Sequence, residues 1–305
     1  MRIKTKGMLV APLRIRAVPG TQQVAQPIGE TLMTLAIDFR ALAMEMKAAQ
    51  DSAHQVEPFT TSLPAFDLAA AYKVAHLIHR ARLKEGTRPV GRKIGFTNPD
   101  MWSKFGVCEP IWGYIYDTTV VRLNDTQTTC RLSSFVEPKI EPEIVFGFRT
   151  APRTGADLFE VLNAIDWVAH GFEIVQSHFP GWRFQAPDTV ADGSLHGALL
   201  VGPPQPLPKL GTDVIAALES FTLTLSCNGR HVETAKGCNV LGSPLSAIAH
   251  LLSVLAKQPD HAPLHAGEIV TTGTVTIAQS VRAGETWRSE VQGIALPGLT
   301  VEFSA

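Results

Sequence analysis

Charge is what this 305-residue chain has little of: 18% of its residues are Asp, Glu, Lys or Arg, and 27 basic side chains nearly cancel 28 acidic ones. Such a balance produces no long-range field to draw in nucleic acid or an anionic membrane, so a small molecule is the expected partner. Cysteine is scarce as well. Cys108, Cys130, Cys227 and Cys238 form no Cys-x-x-Cys pair and no compact disulfide framework, which makes a reducing cytoplasm the expected setting. No apolar run approaches the roughly 18 residues needed to span a bilayer, and a soluble chain is expected. Glycine-rich phosphate loops and the Gly-x-Ser-x-Gly elbow are also missing, which weakens nucleotide, dinucleotide and serine-hydrolase readings.

Acidic residues are absent from the first 29 positions, which do contain Arg2, Lys4, Lys6, Arg14 and Arg16. Transit peptides share that bias, but "MLVAPL" is a short apolar core broken by proline, with no small-residue cleavage pattern after it. Residues 1–33 are therefore expected to be a disordered extension, with Met33 as an alternative start. Residues 34–90 are expected to be a helical N-terminal region, and residues 91–305 the domain that carries the chemistry.

Hydrophobic residues make up 45% of the chain, enough for a substantial core. A helical pattern begins in "TLAIDFRALAMEMKAAQ". A second helix follows in "LPAFDLAAAYKVAHLIHRARLKEG", capped by Asp67, with Leu68, Ala71, Ala75 and Ile78 on one face and Gly86 as its stop. Leu158, Val161, Leu162, Ile165 and Val168 predict a third over 157–169, and "SPLSAIAHLLSVLAKQ" a fourth, with Ser243 as cap and Pro244 at the first helical position. Strand signals dominate later. "FTLTLSCNGRHVE" alternates apolar and polar residues before Asn228-Gly229, a strong hairpin signal, and "GEIVTTGTVT", "ETWRSEVQG" and "GLTVEF" continue as short strands. Helices early and strands late predict an α+β fold with a mixed, mostly antiparallel, curled sheet.

Inside "PKIEPEIVFGF" two carboxylates, Glu141 and Glu143, sit in a run that otherwise belongs in a core. On a strand they share one face while Pro142 points to the other, and the missing N–H of Pro142 suggests an edge strand or a bulge. Side-by-side carboxylates repel, and a divalent cation removes that repulsion. Hard oxygen ligands with room for water suit Mg²⁺ or Mn²⁺. A third carboxylate, Glu173, occupies a similar apolar strand in "HGFEIVQSHF". Three such ligands leave open positions that a 2-oxo acid fills through its keto and carboxylate oxygens. Lys93 in "GRKIGFTN" is the candidate cation for an anionic substrate.

"GRKIGFTN", "PKIEPEIVFGF", "HGFEIV", "WRFQAPDTVAD" and "LHAGEIVTTGT" resemble, in order and spacing, motifs of the 2-oxopent-4-enoate hydratases and 4-oxalocrotonate decarboxylases, within the fumarylacetoacetate hydrolase superfamily. The resemblance covers roughly residues 34–303. It implies a β-roll-like sheet, a Mg²⁺ or Mn²⁺ centre, a homo-oligomer, possibly a complex with a neighbouring pathway enzyme, and a 2-oxo or 2-hydroxydienoic acid from aromatic ring cleavage as substrate. Position by position, Glu141, Glu143 and Glu173 match the metal ligands, Lys93 the active-site lysine and Asp117 an acidic partner for proton transfer. Arg92, Thr97, Ser177 and His178 are the expected substrate contacts. Hydration of the dienoate is the implied reaction, with decarboxylation second and a non-catalytic partner subunit as the alternative class.

Three departures stand out. Gln176, Ser177 and His178 replace an Asp-Ser-Arg triplet, Gly193 replaces an Asn, and Phe96, Thr97, Asn98 replace Leu-Thr-Ser. A C–C hydrolase acting on an acylpyruvate would need a His–Glu pair to position water, and no clear one precedes Glu141. Among the remaining candidates, His76 and His79 read as neighbours on a partly solvated helix face and His261 and His265 as loop residues. His196 is a structural or pocket-lining group, Asp188 and Asp192 are expected helix caps, and Trp182 and Phe184 core or pocket wall.

Overall fold

Side-chain caps start the N-terminal helices. Asp38 accepts hydrogen bonds from the N–H groups of Arg40 and Ala41 at the head of α1 (Phe39–Ser52). After a single turn, α2 (Phe59–Ser62), Asp67 accepts from Ala70 N–H at the head of α3 (Leu68–Lys84), which stops just ahead of Gly86. Each cap satisfies donors that the helix leaves open. The structure, a computed structural model, describes residues 37–305 apart from 100, 101 and 259, so the extension expected over 1–33 lies outside the described residues.

Met46, Ala49, Val74 and Ile78 of these helices pack with Phe59 and Phe66 into a small apolar cluster. That cluster reaches later chain through Ile111, Phe179 and Val190, so helices and sheets form one compact unit. Short helices punctuate the rest: α4 (Trp102–Phe105), α5 (Leu158–Ala164), α6 (Ala186–Ala191) and α7 (Val214–Ser220) precede the longer α8 (Pro244–Ala256).

The first strands are β1 (Pro89–Gly95), β2 (Ile111–Tyr116), β3 (Val120–Arg122), β4 (Gln127–Arg131), β5 (Lys139–Phe148), β6 (Ile165–Val175) and β7 (His196–Val201). The later ones are β8 (Gln205–Pro206), β9 (Thr222–Cys227), β10 (Arg230–Lys236), β11 (Ile269–Thr271), β12 (Gln279–Ser280), β13 (Thr286–Gln292) and β14 (Thr300–Ser304). The larger sheet runs β2-β1-β11-β5-β6-β7-β3, with β12 beside β5 and β8 beside β6, and the smaller runs β10-β9-β13-β14-β4. Among the described residues the parallel neighbours are β1–β11, β4–β14 and β3–β7; the other pairs are antiparallel. The architecture is thus the mixed, mostly antiparallel α+β arrangement that the late strand signals predict. Asn228 and Gly229 turn the β9–β10 hairpin with φ of 50° and 73°, the left-handed pair such a two-residue turn requires.

Three sequence expectations change. The helix expected over 157–169 ends at Ala164, and Ile165 to Ala169 continue as β6. Ile165 and Val168 keep helical spacing with Val161 only by coincidence; both are fully buried opposite Phe148 and Phe146 of β5, and pairing along that strand prevails. Pro142 marks neither edge nor bulge. β5 is central, and Pro142 falls in the gap between its partners β11 and β12, where its carbonyl accepts Val275 N–H and its missing donor leaves no ladder bond broken. Finally, Gly237–Ala256 is long and apolar enough by composition to cross a membrane, contrary to the expectation that no stretch is. In the structure it is a turn followed by α8, whose Leu245, Ile248, Leu251 and Leu252 are buried in the main core.

Removing the α3 cap with Asp67→Ala is expected to lower folding stability by about 1 kcal/mol. A lower urea midpoint with an unchanged slope would show it.

Candidate active site

Strand alternation separates the two faces of the central hairpin. β5 and β6 pair with Glu141 opposite Glu173 and Glu143 opposite Gly171. Side chains of Ile140, Ile144 and Phe146 therefore go to the main core with Phe172 and Ile174. Lys139, Glu141, Glu143 and Val145 take the other face, together with Glu173. Farther along that face Val145, Ala169 and Leu199 close it with a dry apolar patch.

One carboxylate oxygen from each of Glu141, Glu143 and Glu173 lies within 4.8 Å of the others. Glu143 and Glu173 are fully buried, at 0% exposure. Glu143 accepts hydrogen bonds at Oε2 from Gly273 N–H (2.8 Å) and from the Thr271 hydroxyl. Glu173 Oε1 takes Lys93 Nζ at 2.9 Å and His196 Nδ1 at 2.7 Å, and His196 is fixed in turn by Thr119 Oγ1 at 2.8 Å. Glu143 Oε1 and Glu173 Oε2 are buried without any protein partner.

Burial pushes Glu141 up to about 7 despite the opposing pull of Lys93, and burial together with Glu173 and Glu141 pushes Glu143 well above the carboxylate range. Burial also acts on Glu173, but Lys93 and His196 overcome it and hold the group down at about 2. Burial works against the Lys93 ammonium, yet Glu173, Glu141 and Glu143 outweigh it and raise its pKa. The cluster carries three formal negative charges and one positive, leaving −2, the complement of a divalent ion. Orphaned oxygens, an all-oxygen donor set and this charge fit Mg²⁺ or Mn²⁺, held by Glu141, Glu143 and Glu173.

Above the cluster opens a cavity of about 370 Å³ bordered by Lys93, Thr97, Lys139 and Glu141. Phe96, Trp182, Phe184 and Ile277 make it largely apolar farther out. Ser194 and Thr274 also line it, each with a buried hydroxyl that has no protein partner. Gly273 is required here: its φ is +89°, and a Cβ would lie 2.0 Å from Thr97 Oγ1. A groove of about 540 Å³ beside α3 and α8 is larger but gathers no comparable carboxylate set.

The expected site residues divide. Lys93, Thr97, Glu141, Glu143 and Glu173 come together. Arg92 does not: next to Lys93 on β1 it must point to the opposite face, where it pairs with Glu268 at 2.9 Å and lies over the Tyr114 ring. Asp117 does not either. It follows β2, where Pro89 pairs with Tyr116 while Lys93 pairs with Gly113, and its carboxylate meets Arg88 at 3.0 Å. Ser177 donates to the Phe179 carbonyl, and His178 Nδ1 pairs with Asp192 Oδ1 at 2.7 Å, both buried behind the cavity wall. Asp192 is thus a partner of His178 rather than a helix cap, whereas Asp188 does cap α6 by accepting from Gln185 N–H.

His79 is no partly solvated face residue: it is buried and stacks 3.7 Å from Tyr114. His76 stays partly exposed, as expected, and its ring faces that of His261 with centroids 5.3 Å apart. The sequence marks His196 only as a structural or pocket-lining group, and Thr271, Ser194 and Thr274 not at all. For Thr271 and Thr274 the quoted "GEIVTTGT" contains the signal, a Thr-Thr-Gly-Thr run that ends an apolar strand.

Residues 112–301 match the family model described as "Fumarylacetoacetate (FAA) hydrolase C-terminal". The chain is 30% identical to a 2-keto-4-pentenoate hydratase of Paraburkholderia xenovorans over 83% of its own length and 90% of that protein. It is equally 30% identical to a 4-oxalocrotonate decarboxylase of Pseudomonas putida, over 83% of its length and 93% of the relative. A solved 4-oxalocrotonate decarboxylase from Pseudomonas putida, complexed with magnesium and adipate, superposes with a TM-score of 0.79 at 29% identity, covering 87% of this chain and 97% of that one.

Adding Mg²⁺ is expected to raise the thermal midpoint of the purified protein, and Glu173→Gln to abolish that shift. Metal affinity should rise with pH through about 7, because Glu141 and Glu143 must give up protons before they bind. Calorimetric titration across pH 6 to 8, with proton release read from buffer dependence, checks this sign.

Proposed function

Given that the chain belongs to the fumarylacetoacetate hydrolase family, we propose that it is a divalent-metal-dependent lyase. It adds water to a 2-hydroxy-2,4-dienoate, through the 2-oxo-enoate tautomer, giving a 4-hydroxy-2-oxo acid in aromatic meta-cleavage catabolism. One observation carries this reading: three carboxylates, two of them fully buried, converge beside Lys93 at the floor of a cavity with an apolar wall.

Glu141, Glu143 and Glu173 would hold Mg²⁺ or Mn²⁺, and the solved relative with magnesium supports the first choice. When bound, the ion supplies Lewis-acid polarisation of the substrate's 2-oxygen. His196 donates from Nδ1 to Glu173 and so fixes the orientation of that ligand, as outer partners of metal ligands commonly do. Lys93 Nζ is the group placed to hold and return a proton. Glu173, Glu141 and Glu143 hold it in its ammonium form against the effect of burial, so it is placed to donate. Asp117, ion-paired to Arg88, takes no part. Phe96, Trp182 and Phe184 exclude bulk water from the carbon chain, and the Ser194 and Thr274 hydroxyls offer hydrogen bonds to substrate oxygen or to the added water.

Decarboxylation of a 4-oxalocrotonate-type acid uses the same floor and is the second reading, supported by the decarboxylase relatives. A non-catalytic partner role fits poorly, because gathering three carboxylates, two of them fully buried, with no reaction to serve would only lower stability. Homo-oligomeric assembly and, with its cysteines left as free thiols, a cytoplasmic setting complete the proposal.

Incubation of Mg²⁺-loaded protein with 2-hydroxypenta-2,4-dienoate should bleach the dienoate ultraviolet band and yield a 4-hydroxy-2-oxo acid. Release of bicarbonate from the dicarboxylic analogue would point to the second reading, and no turnover despite measured Mg²⁺ binding would contradict both. Lys93→Ala is expected to lower kcat by about 10² or more while metal still binds.

A further inference from the structure

Backbone strain in this molecule gathers at one place. Among the described residues, eight other than glycine have positive φ, and four of them, Phe96 (53°), Trp182 (58°), Ser194 (59°) and Leu195 (64°), line the cavity above the carboxylates. For bulky side chains that conformation is a steric outlier, and it persists only where neighbouring groups hold it. Here they do. The Phe96 carbonyl accepts from Trp102 Nε1 at 2.7 Å, Trp182 Nε1 donates to the Glu137 carbonyl at 3.0 Å, and the Leu195 carbonyl accepts Gln176 N–H at 3.0 Å. Stability is given up to set two aromatic rings on a wall that the chemistry above uses only to exclude water.

We propose that the outer cavity is a subsite for an aromatic ring, so that the substrate is a 2-oxo acid carrying an aryl group at its distal end. The inference rests on the 2-oxo acid reading of the site and adds the nature of that distal group. Phe184 joins the two strained aromatic residues, its ring centroid 6.1 Å from that of Trp182 with the planes tilted by 54°. All three rings are half-buried, neither sealed in the core nor left in open solvent. Ile277, 69% exposed, stands at the same wall, an apolar side chain that a ligand here would cover.

Size and electrostatics favour a ring. At about 370 Å³ the cavity falls within the range that encloses drug-sized ligands, more than a five-carbon dienoate fills. An alkyl extension would fill it as well, but Lys139 separates the two. Its Nζ stands 3.7 Å over the Trp182 ring, and its side chain also lines the cavity. A cation there favours a neighbour with a negative π face, which an arene has and an alkyl chain lacks. Phe96 and Phe184 add the edge-to-face and offset contacts open only to another ring.

The test compares oxo acids that share the chelating end and differ in the distal group. Mg²⁺-loaded protein is titrated calorimetrically with 2-oxobutanoate, 2-oxo-4-phenylbutanoate and 2-oxo-4-cyclohexylbutanoate, and with oxalate as a probe of the carboxylate floor alone. The phenyl acid is expected to bind about tenfold tighter than 2-oxobutanoate, from burial of its ring. It should also bind about threefold tighter than the cyclohexyl acid, although cyclohexyl is the more hydrophobic group. That second ratio should fall toward one in Phe184→Leu and in Lys139→Met. Equal binding of the phenyl acid and 2-oxobutanoate overturns the proposal. So does a cyclohexyl acid that binds as tightly as the phenyl acid, which would make the wall apolar and no more, or a phenyl preference unchanged in both variants. Should the variants fail to fold, the wild-type affinities still decide. Oxalate and 2-oxobutanoate binding without a phenyl preference sinks the aromatic subsite alone; no Mg²⁺-dependent binding of any of the four acids sinks the 2-oxo acid reading beneath it.

Discussion

Mutual repulsion among Glu141, Glu143 and Glu173 is the constraint around which this site is built. Two of the three are wholly removed from solvent, and Lys93 offsets one charge. Left alone, the cluster favours protons on Glu141 and Glu143, which burial and the neighbouring carboxylates push up, while Lys93 and His196 keep Glu173 ionised. A divalent cation achieves the same relief without protons and leaves coordination positions for substrate. The surroundings are organised for that outcome: His196 and Lys93 meet one oxygen of Glu173 and leave the other bare, while Thr271 and Gly273 do the same for Glu143.

The fold earns its part through parity. Every strand that touches the site sends alternate residues to opposite sides, so one hairpin supplies both a sealed hydrocarbon layer and a charged floor. Ile140 and Phe172 anchor the layer, and Glu141 and Glu173 occupy the floor one residue along each strand. A register slip of one residue would exchange the two faces and place carboxylates in the main core. Length matters as well: β5 and β6 pair over almost their whole extent, which gives the glutamates a stiff platform rather than a loop.

Much of this was legible in the chain itself. Caps at Asp67 and Ser243, the Asn228-Gly229 turn and the late alternating strands all appear where local chemistry demands them. The carboxylate cluster was legible because carboxylates in an apolar strand are anomalous, and the spacing of Glu141 and Glu143 alone fixes their common face. What failed did so for non-local reasons. Arg92 and Lys93 are neighbours in sequence, and only the pairing of β1 with β2 and β11 shows which of them turns toward the cavity. Asp117 looked acidic and nearby, but its place at the far end of that pairing gives it to Arg88. Val168 kept helical spacing and became a strand residue because β5 needed a partner. His196 and Ser194 carry no local signal: their roles exist only once β6 and β7 lie side by side.

Convergence of three glutamates on one ion is the central claim, and crystals soaked in Mn²⁺ test it most directly through anomalous scattering. A single strong manganese peak is expected at about 2.1 Å from one oxygen each of Glu141, Glu143 and Glu173, with Lys93 close by but outside the coordination shell. A peak bound by other residues, or no peak at saturating Mn²⁺ while the fold is intact, would contradict it.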